Sequence, residues 1–218
     1  MKLTLRLLAL AMVAFLGSRL PVFALGPLDV AVTAYYWNAD TEVFGQTEAS
    51  GDLGGRAEVW FKRLGVMGEL FRLRPEGSLN DLDFDYMSLD VQWRLLDLTE
   101  NNFLAVGAGY EKIDVKAPDI DDNSTGPRVM AEGRVGLTSI LWFYGRAAYM
   151  PDLSDVDAGT VTFTNGSAFE YEFGLQIKPF PFLQLYGGYR QHKDEFDVPL
   201  GTTTVKHDGI LVGAGVNF

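Results

Sequence analysis

The sequence predicts an all-β chain, an antiparallel, up-and-down transmembrane β-barrel of ten strands, and three observations carry that prediction. Apolar and polar residues alternate with a period of two in ten segments. The connections between those segments are short and long in turn. The apolar face of the segments places its aromatic residues at both ends, with Leu, Val, Ala and Gly between them.

The segments follow in order. In "PLDVAVTAYYW", Leu28, Val30, Val32, Ala34 and Tyr36 share one face. In "GDLGGRAEVWFK", Leu53, Gly55, Ala57, Val59 and Phe61 oppose Arg56, Glu58, Trp60 and Lys62. The third segment, "LGVMGELFRLR", is the least regular, with Val66, Gly68 and Leu70 set outward against Met67, Glu69 and Phe71. Eight strands result if the second and third segments are miscounted. The fourth sets Met87, Leu89, Val91, Trp93 and Leu95 against Ser88, Asp90, Gln92 and Arg94. The fifth sets Leu104, Val106, Ala108 and Tyr110 against Ala105, Gly107, Gly109 and Glu111. In the sixth, Val129, Ala131, Gly133 and Val135 oppose Arg128, Met130, Glu132 and Arg134. In the seventh, Leu141, Phe143, Gly145, Ala147 and Tyr149 oppose Trp142, Tyr144 and Arg146. The eighth sets Phe169, Tyr171, Phe173, Leu175 and Ile177 against Glu170, Glu172, Gly174 and Gln176. The ninth sets Leu183, Leu185, Gly187 and Tyr189 against Gln184, Tyr186, Arg190 and His192. The tenth places Ile210, Val212, Ala214, Val216 and Phe218 on one parity, and its last residue is the last of the chain.

Short connections ("RL", "DLTENN", "TS", "PFP") alternate with long polar ones such as "NADTEVFGQTEAS", "DVKAPDIDDNSTG" and "KDEFDVPLGTTTV". Short turns at one end and long loops at the other are expected of an up-and-down barrel, with both termini at the short-turn end. Residues 1–24 stand apart. Lys2 and Arg6 precede the apolar run "LLALAMVAFLG", and Val22 and Ala24 fit a signal-peptidase site, so they read as a secretory signal peptide. A spanning helix needs about 20 apolar residues, more than this run has. The single domain is then 25–218.

The aromatics decide which face looks outward. Tyr36, Tyr110, Tyr149, Phe169, Tyr171 and Tyr189 fall near the long-loop end, and Phe61, Trp93, Phe143 and Phe218 near the short-turn end. Two aromatic belts are what a bilayer asks for, because amphipathic rings sit at headgroup level. A soluble core has no reason to sort its rings this way. On these residues the chain resembles the small outer-membrane β-barrel proteins of Gram-negative bacteria. That resemblance implies an outer-membrane location, periplasmic termini and contact with outer-membrane lipid and lipopolysaccharide. It also implies that Phe218, with Val216, Ala214, Val212 and Ile210 behind it, is a signal read by the barrel-assembly machinery.

The inward face is rich in charge of both signs: Arg56, Glu58, Glu69, Asp90, Arg94, Glu111, Arg128, Glu132, Arg134, Arg146, Glu170, Glu172 and Arg190. Charges in a confined lumen must pair or neutralise, so a salt-bridged filling is expected. A single-sign lining would have favoured selective conduction. Without Lys2, Arg6 and Arg19, 15 basic residues face 29 acidic ones, a net charge of −14. That balance argues against nucleic acid as a partner, since phosphates require Lys and Arg. There is no cysteine, hence no disulfide or thiolate chemistry.

His192 and His207 flank the last long connection with inward parity, near Asp194 and Asp208. Ordinary solvated rim histidines are the expectation, against a metal site or a His/Asp base. Omptin proteases are ten-stranded barrels with His and Asp at the outer rim. Their paired-aspartate motif has no counterpart here, and the chain reads as too short for their tall extracellular walls, so no site is carried over. Asp119, Asp121 and Asp122 are candidate oxygen ligands for a divalent cation that would bridge to lipopolysaccharide phosphates, with a solvated acidic loop as the plain alternative. No G-x-S-x-G, H-E-x-x-H, P-loop or dinucleotide fingerprint occurs, so no enzyme and no cofactor are expected. The predicted function is a small structural or surface-interaction barrel acting through acidic extracellular loops. The alternative is a narrow passive pore, followed by a rim-sited hydrolase and a soluble lipocalin-like carrier. The extracellular partner is unknown.

Overall fold

The computed structural model describes residues 28–99, 102–117, 120–157, 162–199 and 201–218. The expected signal peptide lies outside the described residues. The strands are β1 (Leu28–Val43), β2 (Gln46–Phe61), β3 (Leu64–Leu73), β4 (Asp83–Thr99), β5 (Asn102–Ala117), β6 (Ile120–Gly136), β7 (Leu141–Leu153), the two-residue β8 (Val156–Asp157), β9 (Thr162–Phe180), β10 (Leu183–Val198) and β11 (Gly201–Asn217). Each long strand pairs antiparallel with its neighbours, and β1 pairs with both β2 and β11. The ten long strands therefore close into a barrel, with β8 a short addition at the edge of β9. Closure leaves no sheet edge, which hydrocarbon does not tolerate.

Closure also holds the end of the chain. Phe218 N–H donates to Val30 C=O at 2.9 Å, and Val30 N–H donates to Phe218 C=O at 3.2 Å. The terminal residue is thus pinned by β1.

The parity assigned to the strands matches the burial. Val66, Leu70, Met87, Leu89, Val91, Tyr110, Val129, Phe143 and Ile210 are exposed, while Met67, Glu69, Asp90, Glu111 and Arg190 are buried. Strand β3 follows the same rule. Ala214 and Val216 are buried although they share the outward parity of Ile210 and Val212.

The expectation of long polar loops is overturned. Most of that sequence is strand. β1 runs to Val43 and turns within Phe44 and Gly45, both at positive φ (53° and 77°), the conformation of a tight two-residue hairpin. β10 and β11 pair as far as Val198↔Gly201. The longest fully described connection at this end, between β3 and β4, contains a 3-10 turn at Gly77–Leu79. Ser78 donates from its hydroxyl (2.7 Å) and its N–H (3.1 Å) to the carboxylate of Glu48 on β2.

The physical reason is a swap of polarity at constant parity. On β1 the outward residues change from Val32, Ala34 and Tyr36 to Asn38, Asp40 and Glu42, while the inward ones become Trp37, Ala39, Thr41 and Val43. The backbone pairs continuously through the change. From Trp37 to Val43 the wall rises roughly 20 Å along the strand beyond the aromatic belt, at about 3.3 Å per residue. The chain is thus long enough for a raised wall, contrary to the reading from sequence.

One seam of that wall is incomplete. The β6–β7 ladder ends at Val129↔Tyr149. Two steps further in register Pro127 would face Pro151, and neither can donate an N–H. Beyond the break Ser154 reconnects the strands, its N–H donating to Thr125 C=O at 2.8 Å.

Candidate functional site

The interior is layered. At the end where the chain terminus lies, the Arg94 guanidinium sits between two rings, 4.2 Å from the Trp60 centroid and 4.5 Å from that of Phe103. Asp97, at 3.6 Å, balances its charge. Arg134 bonds Glu58 (2.6 Å) and Glu132 (2.7 Å) just above. Gln176 donates to Gln184, which donates to Thr33 at 2.8 Å. A void of about 30 Å³ lies among Thr33, Arg56, Glu58, Arg134, Gln176 and Tyr186, about the share of one liquid water.

The middle layer is an interlocked charge lattice. Arg146 meets Glu69 (2.7 Å), Glu172 (2.9 Å) and Glu170 (3.0 Å). Arg56 joins Glu69 (3.0 Å) to Glu172 (2.8 Å). Arg190 joins Glu69 (2.9 Å) to Glu170 (2.8 Å) and lies over the rings of Phe71 and Trp37. Arg128 pairs with Glu111 and lies 3.3 Å from Asp90. Each arginine serves at least two carboxylates from different strands, so the lattice ties opposite walls together. Aromatic rings complete the layer by lying on glycines of the next strand. A Cβ on Gly54 would come within 2.4 Å of the Tyr35 ring, and one on Gly213 within 2.4 Å of Tyr186.

The two histidines sit above the lattice. They face each other in register on β10 and β11, and both are fully buried at 0% exposure. The expectation of solvated rim histidines is therefore overturned. The wall continues past them, and the rings of Phe71, Phe84 and Tyr86 pack around them. Their hydrogen bonds have one consistent direction. Tyr86 donates to Asp194 Oδ2 (2.9 Å), so His207 Nε2–H donates to Tyr86 Oη (2.8 Å). His207 Nδ1 then accepts from Thr41 Oγ1 (2.8 Å). His192 has a carboxylate at each ring nitrogen, Asp194 at 2.9 Å and Glu170 at 3.3 Å. Asp208, paired with the histidines from sequence, faces outward instead and bonds Tyr189 (2.6 Å) and Lys206 (2.7 Å).

Sequence reasoning set Phe71 inward but gave no role to Tyr35, Trp37 and Tyr86, which are buried with it. Their signal was inward parity within segments read as strands. Of the belt residues, Tyr110, Tyr149, Phe169, Phe61, Trp93 and Phe143 are exposed on the outer face. Tyr36, Tyr171 and Tyr189 are half-buried there, Tyr189 packing near Tyr171 and Phe173. Among the candidate cation ligands, Asp119 and the side chain of Asp121 lie outside the described residues. Asp122 accepts from the N–H of Asn123 at 2.7 Å. Among the described residues no group of three or more His, Cys, Asp or Glu is arranged to hold a metal ion.

No protein-family model matches the sequence, and no curated relative matches it. Solved structures do. The outer-membrane protease OmpT from Escherichia coli is similar with a TM-score of 0.52 at 8% identity, covering 92% of this chain and 99% of that one. An outer-membrane channel from Pseudomonas putida F1 gives a TM-score of 0.49 at 9% identity, covering 91% and 96%. The attachment invasion locus protein Ail of Yersinia pestis gives 0.37 at 15%, covering 87% and 98%. At these identities the likeness is one of fold. The chain has the closed, ten-stranded antiparallel fold of the Gram-negative outer-membrane β-barrel proteins.

Proposed function

We propose that this chain is a small integral outer-membrane barrel without enzymatic activity, acting at the cell surface with its lumen sealed by paired charges. The observation that supports this most is the middle layer. Arg128, Arg146 and Arg190 are almost wholly withdrawn from solvent and cross-link Glu69, Glu111, Glu170 and Glu172. Opening a path through a lumen crossed by such bonds would strand several buried charges at once.

The surface available for interaction is the raised wall rather than mobile acidic loops. Its outer face carries alternating signs, with Lys193–Glu195, Lys206–Asp208 and Lys112–Asp114 pairs. Outer-membrane lipid and lipopolysaccharide would contact the two aromatic belts, and the assembly machinery would read Phe218, leaving both termini periplasmic. A hydrolytic role is disfavoured because His192 and His207 are committed to buried partners.

Single-channel recording of the refolded mature chain in a planar bilayer tests the reading, with heat-modifiable gel migration reporting the fold. Folded protein is expected to be electrically silent. Steady, discrete conductance would replace the sealed barrel with the narrow pore. Failure to enter the bilayer would revive the soluble carrier.

A further inference from the structure

The lumen changes character above the histidines. There its wall is apolar, and it encloses a cavity of about 110 Å³ between β1, β4, β5, β8, β10 and β11. Phe84, Ile113, Val156, Phe196 and Val205 form its sides. Of its polar neighbours Ser124, Asp194 and Thr203, the first two already have partners, Ser124 on Ser154 C=O at 2.6 Å and Asp194 on Tyr86 and His192. The rest of the lining is apolar. A roughly 150 Å³ cavity lined by Leu, Ile and Phe stays dry and takes up benzene or xenon, so this one has room for about one small ring or a short alkyl chain.

Two features separate it from an ordinary packing flaw. One ladder irregularity of the upper wall borders it: the register shift at Glu195/Asp197 flanks Phe196, which lines it. Bulges of this kind re-aim side chains and gather at barrel rims and sites. At the mouth, Phe44 is held at φ 53°, 71% exposed, with its ring beside the cavity. A non-glycine residue there costs roughly 1–2 kcal/mol, and a turn that needed only solubility would use Asn or Gly.

From this geometry we infer that the extracellular end of the lumen is a binding site for a small, uncharged, apolar molecule, of the size of a single aromatic ring. Charge selects against the obvious competitor. The carboxylate of Asp194 lies at the cavity floor, and the mature chain carries a net −14, so short fatty-acid anions are repelled. The charge lattice below makes the site a receptacle rather than the entry of a conduit.

The test uses the refolded mature chain in phosphatidylcholine nanodiscs, with labelled Ile and Val methyl groups, titrated with toluene. Saturable shifts are expected at Ile113, Val156 and Val205. The lipid-facing Val91 and Ile210 should show only the linear drift of partitioning. Linear drift alone at all five would overturn the site. Hexanoate should give no saturation, and saturation equal to that of toluene would overturn the uncharged class. Val205→Phe should fill the cavity and abolish saturation while heat-modifiable migration persists. Should that variant fail to fold, Ile113→Ala serves instead. It should admit naphthalene, which the parent excludes, and equal behaviour of the two toward naphthalene would count against the cavity.

Discussion

The barrel below its outer aromatic belt and the barrel above it are built on opposite rules. Below, the outside is apolar and the inside is a lattice of arginine and carboxylate. Above, the outside carries Lys206, Asp208, Lys193 and Glu195, and the inside carries Leu73, Phe84, Ile113, Leu153, Val156 and Phe196. Strands β1, β2, β10 and β11 cross from one regime to the other without a break in pairing, whereas the β6–β7 ladder stops at Val129↔Tyr149. The difference teaches that solvent, not strand geometry, sets the pattern. Lipid outside drives polar groups inward, and water outside restores the ordinary apolar core.

The first way to break this comparison is to attack the lower interior. Arg190→Met removes one of the two cations shared by Glu69 and Glu170 and leaves both in a closed lumen with Arg146 as their common partner. Breaking a buried pair by removing one partner costs about 3–5 kcal/mol. Urea unfolding of the barrel in lipid vesicles should show a loss of that order. Adding Glu170→Gln to the same chain should recover part of it. A loss below about 1 kcal/mol would mean that the lattice is loose and wet, and would weaken the sealed-lumen reading with it.

How much of this was legible beforehand depended on which regime a residue occupies. For the lower barrel, period-two alternation placed Leu89 outward and Asp90 inward, and it did so even for the irregular β3. The outward facing of Phe61, Trp93 and Tyr110 was equally readable, because lipid makes one face uniformly greasy. The upper wall was misread. "NADTEVFGQTEAS" looks polar by composition, yet Trp37, Ala39, Thr41 and Val43 keep the inward parity of Tyr35. The alternation had changed sign rather than stopped. The same error left His192 and His207 at a solvated rim. The pairing of Arg190 with Glu69 across the lumen could not be read at all, since strand alternation gives a facing direction and no cross-barrel distance.

The outer face offers a sharper contrast. Leu89 is exposed in the middle of the lipid belt, and Leu89→Arg should cost about 2–4 kcal/mol there. Thr204 has outward parity on β11 beside Lys206, opposite Glu195 on β10. Thr204→Arg should stay within about 0.5 kcal/mol, as for ordinary surface changes. Equal costs at the two positions would show that the upper wall, too, lies in lipid, and the two-regime description would fall.

The smallest effect sits at the top of the upper wall. The Glu48 carboxylate accepts two hydrogen bonds from Ser78, and these hold its pKa below the ordinary 4.5. A depressed carboxyl contributes stability above its unfolded pKa and loses it as pH falls through the folded one. The side chain is exposed, so what it stabilises is local: the turn at Gly77–Leu79. Amide exchange at Ser78 and Leu79 should accelerate as pH drops below 4.5, relative to the intrinsic rate. Exchange in β10 and β11 should stay protected. Glu48→Gln should show the faster turn already at pH 7 and lose the acid response. If acid instead opened the turn and the strands together, the upper wall and the charge lattice would be one cooperative unit, and the division drawn between them would be structural but not energetic.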